Sequence, residues 1–344
     1  MSVLSLYIFE ESMDIVEIIR SNLLSPLVLA FVLGIVATLI RSEVEIPEPV
    51  IKAISVYLLF SIGLSGGVEL AGTTLSAFIL PALATIALAI AVPTWCYLIL
   101  RGIGRFDIPN AAGIAAHYGS VSSVTFVAGI SFVERLPEGQ NTFEAFIPAL
   151  AALMEWGIIV ALFIGRWRLG VSQSQQSDLG RVIRDTLTGR SVVLLVGGLL
   201  IGMIIGEQGF ARIKPLYGDL FRGVLVFFLI EMGMLAGRQL RGFVKVGPFM
   251  AVFGTVMPLI HGIIGVSLGL LAGLSPNGAF ILGVITASSS YIDAPAAVRA
   301  TFPQANPSIY LTSSLGITLP VNLIIGLPLY YEYARWLGAT LGRM

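Results

Sequence analysis

The sequence lacks most of what a soluble or catalytic chain carries. Only 12% of its 344 residues are charged, whereas a soluble domain holds about 25%. A single cysteine, Cys96, excludes a disulfide within the chain. That thiol and two histidines, His117 and His261, are too few for a thiolate- or imidazole-rich metal cluster. Lys and Arg number 20 and Asp and Glu 20, so the formal charge is zero. Nothing in that balance suggests a nucleic-acid surface. No Gly-rich loop is followed by Lys-Ser or Lys-Thr, so nucleotide-driven pumping by this chain is not expected. No nucleophile–base pair or metal triad stands out, which argues against an intramembrane enzyme. The opening MSVLSLYIFEESMDIVEIIR has acids and no basic n-region, unlike a cleaved signal peptide.

What is present is apolar. Hydrophobic residues make up 56% of the chain, and the mean hydropathy is +0.92. Apolar runs between charged or Pro/Gly turns predict about ten membrane spans. They lie near 26–40, 50–69, 73–100, 109–132, 144–165, 191–206, 217–236, 246–273, 277–298 and 308–334. The first and sixth are short against the ~20 residues a spanning helix needs. Residues 1–20 form an alternative interfacial helix, with Asp14, Glu17 and Arg20 close to one face.

Two halves match in register at an offset of 170: Gly63 meets Gly233, Gly67 meets Gly237, Gly113 meets Gly283 and Ser120 meets Ser290. Five spans per half is odd, so the second half must insert upside down. Basic residues agree. With alternating loops, one side collects Arg41, Lys52, Arg101, Arg105, Arg166, Arg168, Arg181, Arg184, Arg190, Arg238, Arg241, Lys245 and Arg299. The other holds Arg20, Arg135, Arg212, Lys214, Arg335 and Arg343. The rich side is expected to be cytoplasmic and both termini outside. The expectation is an all-α polytopic membrane protein of two inverted five-helix repeats, residues 1–166 and 191–344, joined by a polar cytoplasmic linker at 167–190.

Two polar segments interrupt the apolar sequence at corresponding places, GIAAHYGSVSSVTFVAG at 113–129 and GVITASSSYIDAPAAVRA at 283–300. Ser, Gly and Pro break membrane helices, and exposed backbone is tolerable only inside protein or along a wet cavity. A matched pair of broken helices, the fourth and ninth, points to a carrier with a midplane site. Inward-pointing half-helix N-termini offer partial positive charge to an anion, and hydroxyls at Ser120, Ser122, Ser288, Ser289 and Ser290 add directional bonds. Gly119 sits at the first break. Pro295 is expected to break the helical bond back to Tyr291.

A lone carboxylate at bilayer depth costs roughly 3 kcal/mol, which a bound cation or proton offsets. Asp293 is the sharpest such residue; a salt bridge with Arg299 is its bland reading. Glu155 is the second, in a span that Trp156 and Pro148 make irregular or interfacial. Glu231 reads as a packing acid. His117 either senses pH or bonds its neighbouring backbone. His261 reads as packing. Ser313, Ser314, Thr318 and Pro320 mark one face or bend of the last span. Asn322 there either donates to a carbonyl exposed by Pro320 or ligates a cation. Tyr331 and Trp336 read as interface anchors.

The segments SSSYIDAPAAVRATFPQANPSIYLTSSLGITLPVNLIIGLPLY and IPEPVIKAISVYLLFSIGLSGG resemble the sodium-dependent bicarbonate transporter family of cyanobacteria, over nearly the whole chain. The resemblance implies ten spans in two inverted repeats, a core domain moving against a gate domain, and a homotrimer in the inner (plasma) membrane. It implies symport of bicarbonate with Na+, no organic cofactor, and regulation by a PII-like protein. It places the anion at Gly119, Ser120, Ser122, Ser288, Ser289 and Ser290; His117, by its location beside them in the sequence, is a further candidate at the margin. Asp293 and Glu155 map onto the acidic partners. Four departures stand out. Tyr291 rather than an acid follows the serine triplet, His117-Tyr118 replaces smaller residues, Glu155-Trp156-Gly157 stands where the family has aspartate followed by Ile-Pro, and the linker is short. Another small anion such as a monocarboxylate, proton coupling, or a channel or membrane sensor remain open alternatives.

Overall fold

The computed structural model describes residues 24–71, 75–136, 139–169, 188–240 and 243–343, with residues 180 and 184 between them. Most of the 167–190 linker and the interfacial helix expected at 1–20 lie outside the described residues, as do Arg20, Arg181, Arg241 and, for its side chain, Lys245. Among the described residues there are helices and no strands.

Helix α1 spans Pro26–Leu39, α2 Glu48–Leu70 and α3 Leu75–Gly102. A broken pair follows, α4 Ile108–Tyr118 and α5 Ser123–Val133. Next come α6 Ile147–Met154 and α7 Trp156–Arg168, hinged at Glu155, and α8 Arg190–Ala211. A π turn at Pro215–Asp219 leads into α9 Phe221–Leu240, and α10 is Phe243–Leu271. The second broken pair is α11 Pro276–Ala287 and α12 Ala294–Thr301. The last stretch joins α13 Pro307–Leu311, α14 Leu319–Val321 and α15 Leu327–Thr340 through π turns at Thr312–Thr318 and Asn322–Gly326. Seven helical stretches among the described residues are long and apolar enough to cross a membrane, and α1 and α11 are shorter apolar helices. The chain is thus an all-α, polytopic membrane protein.

Start signals are local and repeated. Asp107 caps α4 by accepting from Asn110 N at 2.8 Å, and Ser275 caps α11 by accepting from Gly278 N at 3.1 Å, each ahead of a first-turn proline. The cap satisfies an orphan N–H and the proline needs none. Ser25 before Pro26 and Asn306 before Pro307 repeat the device at α1 and α13.

Glycine decides which helices meet. Helix α1 packs on α9, and α2 packs on α8. At the first contact a methyl on Gly233 would land on the Phe31 carbonyl, with the Gly34 Cα 3.0 Å away. At the second, a methyl on Gly67 would land on the Leu199 carbonyl, and one on Gly198 would lie 3.0 Å from the Gly63 Cα. Such small-residue seams let backbones touch where lipid supplies no hydrophobic drive. Thr38 seals the first seam by donating to the Met234 carbonyl at 3.1 Å. A second group, α3, α4, α7, α10, α11 and α15, surrounds the two breaks.

Candidate functional site

The breaks cross inside the protein. Backbone leaves the helical path at Gly119 and resumes at Ser122, whose extended backbone (φ −80°, ψ 112°) caps α5 through Oγ on Thr125 N at 3.3 Å. The second break opens at Ser288, also extended (φ −74°, ψ 165°), and closes at Asp293, which precedes α12. Pro295 lies in the first turn of α12. It therefore starts a helix and breaks none, because the chain around Tyr291 is already non-helical.

Three cross-strut bonds tie the breaks together. Ser290 N donates to the His117 carbonyl at 2.9 Å, and Ser122 N donates to Ser288 Oγ at 3.0 Å. Ser288 Oγ donates in turn to the Ile285 carbonyl at 2.6 Å and, across the break, to the Ser120 carbonyl at 3.4 Å. Ser120 Oγ bonds back to the Ala116 carbonyl at 3.1 Å, and Ser289 Oγ pairs with Ser314 Oγ at 2.7 Å. Ser290 Oγ accepts from Asp293 N at 3.4 Å. All five serines are buried. The α5 and α12 N-termini both open at this crossing, so their partial positive charges add there.

Gly119 brings a third element in. A methyl on Gly157 would land on the Gly119 carbonyl, so the hinge between α6 and α7 lies against the first break. That hinge holds Glu155, only 2% exposed. Neither of its carboxylate oxygens has a hydrogen-bond partner. The Val121 N–H lies beside it outside hydrogen-bond geometry, and the Asp293 carboxyl acts on it electrostatically. Glu155, Asp293, Gly119 and the serines therefore share one neighbourhood. No group of three or more His, Cys, Asp and Glu side chains forms a metal cage among the described residues.

His117 lines the same crossing through its carbonyl. Its ring bonds Gly113 O through Nδ1 at 2.7 Å and stacks on Tyr310 with centroids 4.3 Å apart. Its buried Nε2 and the Tyr310 hydroxyl have no partner. Asn322 sits behind the second break. It donates to the Ala287 carbonyl at 2.9 Å and accepts from Tyr330 OH at 2.9 Å. The carbonyl it satisfies is the one freed where α11 ends, not one exposed by Pro320.

Sequence reasoning missed Tyr118. Its buried hydroxyl joins Ser313 Oγ and Thr318 Oγ1, each at 2.7 Å. Thr318 Oγ1 also donates to the Gly254 carbonyl at 3.0 Å. Pro258 explains that bond, because it lacks the N–H that Gly254 O would otherwise accept. Tyr331 is buried against Phe132 and Phe280, so it is core and not an interface anchor. Trp336 is exposed, as an anchor requires.

Helices long and apolar enough to cross a membrane enclose the two breaks, and the family match makes the chain a non-enzymatic membrane transporter. The sequence profile of the Na+-dependent bicarbonate transporter superfamily matches residues 26–335, and the chain belongs to that superfamily. Membership is consistent with sodium-coupled bicarbonate transport. A comparison with curated proteins gives no match.

Proposed function

We propose that the chain carries bicarbonate inward with Na+ by alternating access, the anion and the cation meeting at the crossed breaks. One observation carries the reading. Two helix N-termini and a set of buried hydroxyls converge beside two carboxylates, of which Glu155 is buried with both oxygens unpartnered. The N-termini and the hydroxyls of Ser120, Ser122, Ser288, Ser289 and Ser290 suit a small oxyanion. Carbonyls at the breaks, with Asp293 and Glu155, suit a hard cation. His117 orients the crossing through its carbonyl, and Asn322 braces α11 from behind.

The inverted-repeat reading of about ten spans, with halves at 1–166 and 191–344 and a linker at 167–190, draws support from the glycine seams. Gly34 meets Gly233 as Gly198 meets Gly63, and Thr38 meets Gly237 as Gly202 meets Gly67. Exchanging the halves turns one seam into the other. In this reading α1, α2, α8 and α9 are the gate, and the helices around the breaks are the moving core. Arg222 bridges them at one face, donating to the Glu134 carboxylate at 3.4 Å and to the Glu134 carbonyl at 2.6 Å. A homotrimer in the plasma membrane, termini outside, and a PII-like regulator complete the proposal on the family resemblance.

A proton in place of Na+ is the second reading, favoured by Glu155, since protonation would neutralise its unpartnered carboxylate. Uptake of labelled bicarbonate into proteoliposomes decides between them. An inward Na+ gradient at equal pH is expected to drive accumulation, with K+ in its place giving none. Accumulation driven by a pH gradient alone assigns the proton. Accumulation of a monocarboxylate in preference to bicarbonate overturns the substrate.

A further inference from the structure

A second polar place lies away from the crossing, at the shared end of α3 and α7. An open pocket of about 440 Å³ is lined there by Tyr97, Leu98, Arg101, Gly102, Ile108 and Arg168. No acid is among the lining residues. The nearby Asp107 carboxylate is engaged as the α4 cap. Each guanidinium has one neighbouring contact. Arg101 Nη1 donates to the Phe106 carbonyl, and Arg168 lies over the Trp167 ring, 5.4 Å from its centroid. Both act electrostatically on the Tyr97 hydroxyl.

The level in the membrane follows from the spans. The apolar stretches Ser76–Gly102 and Ile147–Arg168 end at this pocket, so Arg101 and Arg168 sit where hydrocarbon gives way to headgroups. Trp167, 69% exposed, is placed as an interfacial aromatic. Below the pocket the surface turns apolar. Leu98 lies one turn back from Arg101 on α3, and Phe163 lies one turn back from Trp167 on α7; both are exposed. A ligand filling the pocket thus has an anionic end between two arginines and an apolar body along two helices.

We infer that this pocket binds the headgroup of an anionic phospholipid, with Arg101 and Arg168 on the phosphate and an acyl chain along Leu98 and Phe163. Arginines at helix C-termini also favour the helix dipole, but that role needs neither a shared pocket nor an apolar strip. The inference is independent of the transport reading, because it concerns another face of the protein. Charge complementarity and depth favour a membrane lipid over a soluble phosphate.

Trp167 provides the probe. The intact protein is reconstituted in phosphatidylcholine bilayers containing a minor fraction of brominated phosphatidylglycerol, and Trp167 quenching is obtained by difference against Trp167→Phe. Comparison with unbrominated lipid removes any change in intrinsic emission. We expect quenching above that given by brominated phosphatidylcholine at the same fraction. Arg101→Gln and Arg168→Gln should each lower the local enrichment about 5-fold, the equivalent of the ~1 kcal/mol a basic side chain contributes beside anionic lipid. Arg41→Gln, in a separate pocket shared with Arg238, should leave it unchanged. Quenching no greater than bulk, or an equal loss in Arg41→Gln, overturns the inference in favour of general surface charge. Relief by millimolar inorganic phosphate overturns it in favour of a soluble ligand.

Discussion

Replacing Ser288 by alanine tests whether the crossing is held by one hydroxyl. Ser288 Oγ is the acceptor for Ser122 N at 3.0 Å and the donor to the Ile285 carbonyl at 2.6 Å and the Ser120 carbonyl at 3.4 Å. Its removal affects these partners unequally. The Ile285 carbonyl keeps the Ser288 backbone N–H at 3.2 Å. The Ser122 N–H has no such substitute and is left buried in a residue 3% exposed. An unsatisfied buried N–H costs about 1–3 kcal/mol. Ser289→Ala is the internal standard. It breaks one hydroxyl pair, with Ser314 at 2.7 Å; the Ser314 hydroxyl can rotate to a carbonyl of its own preceding turn, as the fixed Ser122 N–H cannot, so the loss is about 0.5–1.5 kcal/mol. Equilibrium unfolding in mixed micelles, followed by tryptophan fluorescence, should therefore rank Ser288→Ala as the more destabilising. Uptake per folded molecule should fall in the same order, since the α5 N-terminus loses its fixed partner. A Ser288→Ala protein as stable as Ser289→Ala refutes the strut.

Asp293→Asn should raise the Na+ concentration for half-maximal bicarbonate uptake roughly tenfold, about 1.4 kcal/mol; an unchanged value in an active variant removes Asp293 from the coupling site. Glu155→Gln replaces a buried, unpartnered carboxyl with an amide that cannot ionise to hold a cation, so stabilisation of the protein by Na+ should disappear. An equal Na+-dependent rise in melting temperature in both proteins counts against a cation at Glu155. Gly233→Val drives side-chain atoms into the Phe31 carbonyl and the Gly34 backbone, and should cost about 3 kcal/mol or more. Gly223→Ala, in open space on the same helix, should cost far less; similar yields of monodisperse protein for the two would refute the seam.

The helices were legible because hydropathy is a local property. The runs expected at 73–100 and 246–273 became Leu75–Gly102 and Phe243–Leu271. The breaks were legible too, since Gly119, Ser122 and the Ser288–Ser290 triplet disfavour continuous helix whatever surrounds them. The wiring was not legible. Tyr118 bonds residues 195 and 200 positions away, and no spacing rule links them. Asn322 showed as a polar residue in an apolar span, but its partner, Ala287 O, exists only because α11 ends there. Pro295 misled for a related reason. A proline reads as a breaker from its ring alone, yet it starts a helix when the chain ahead of it is already extended. Tyr331 misled because position near a span's end says nothing about which face it takes.

The exchanged glycine seams also bear on how the chain is made. Helix α1 has its close partner in α9, about 200 residues later, which at 5–20 residues per second means roughly 10–40 s of synthesis. During that interval the α1 glycine face has not yet met the α9 backbone, and α2 waits likewise for α8. Neither half closes its own seams. Expressed alone, each half should be cleared as an orphan, and the two coexpressed halves should rescue one another. Assembly of this protein is therefore a late event, set by its second half, and a truncation that spares every site residue of the first half still leaves that half without a folded frame.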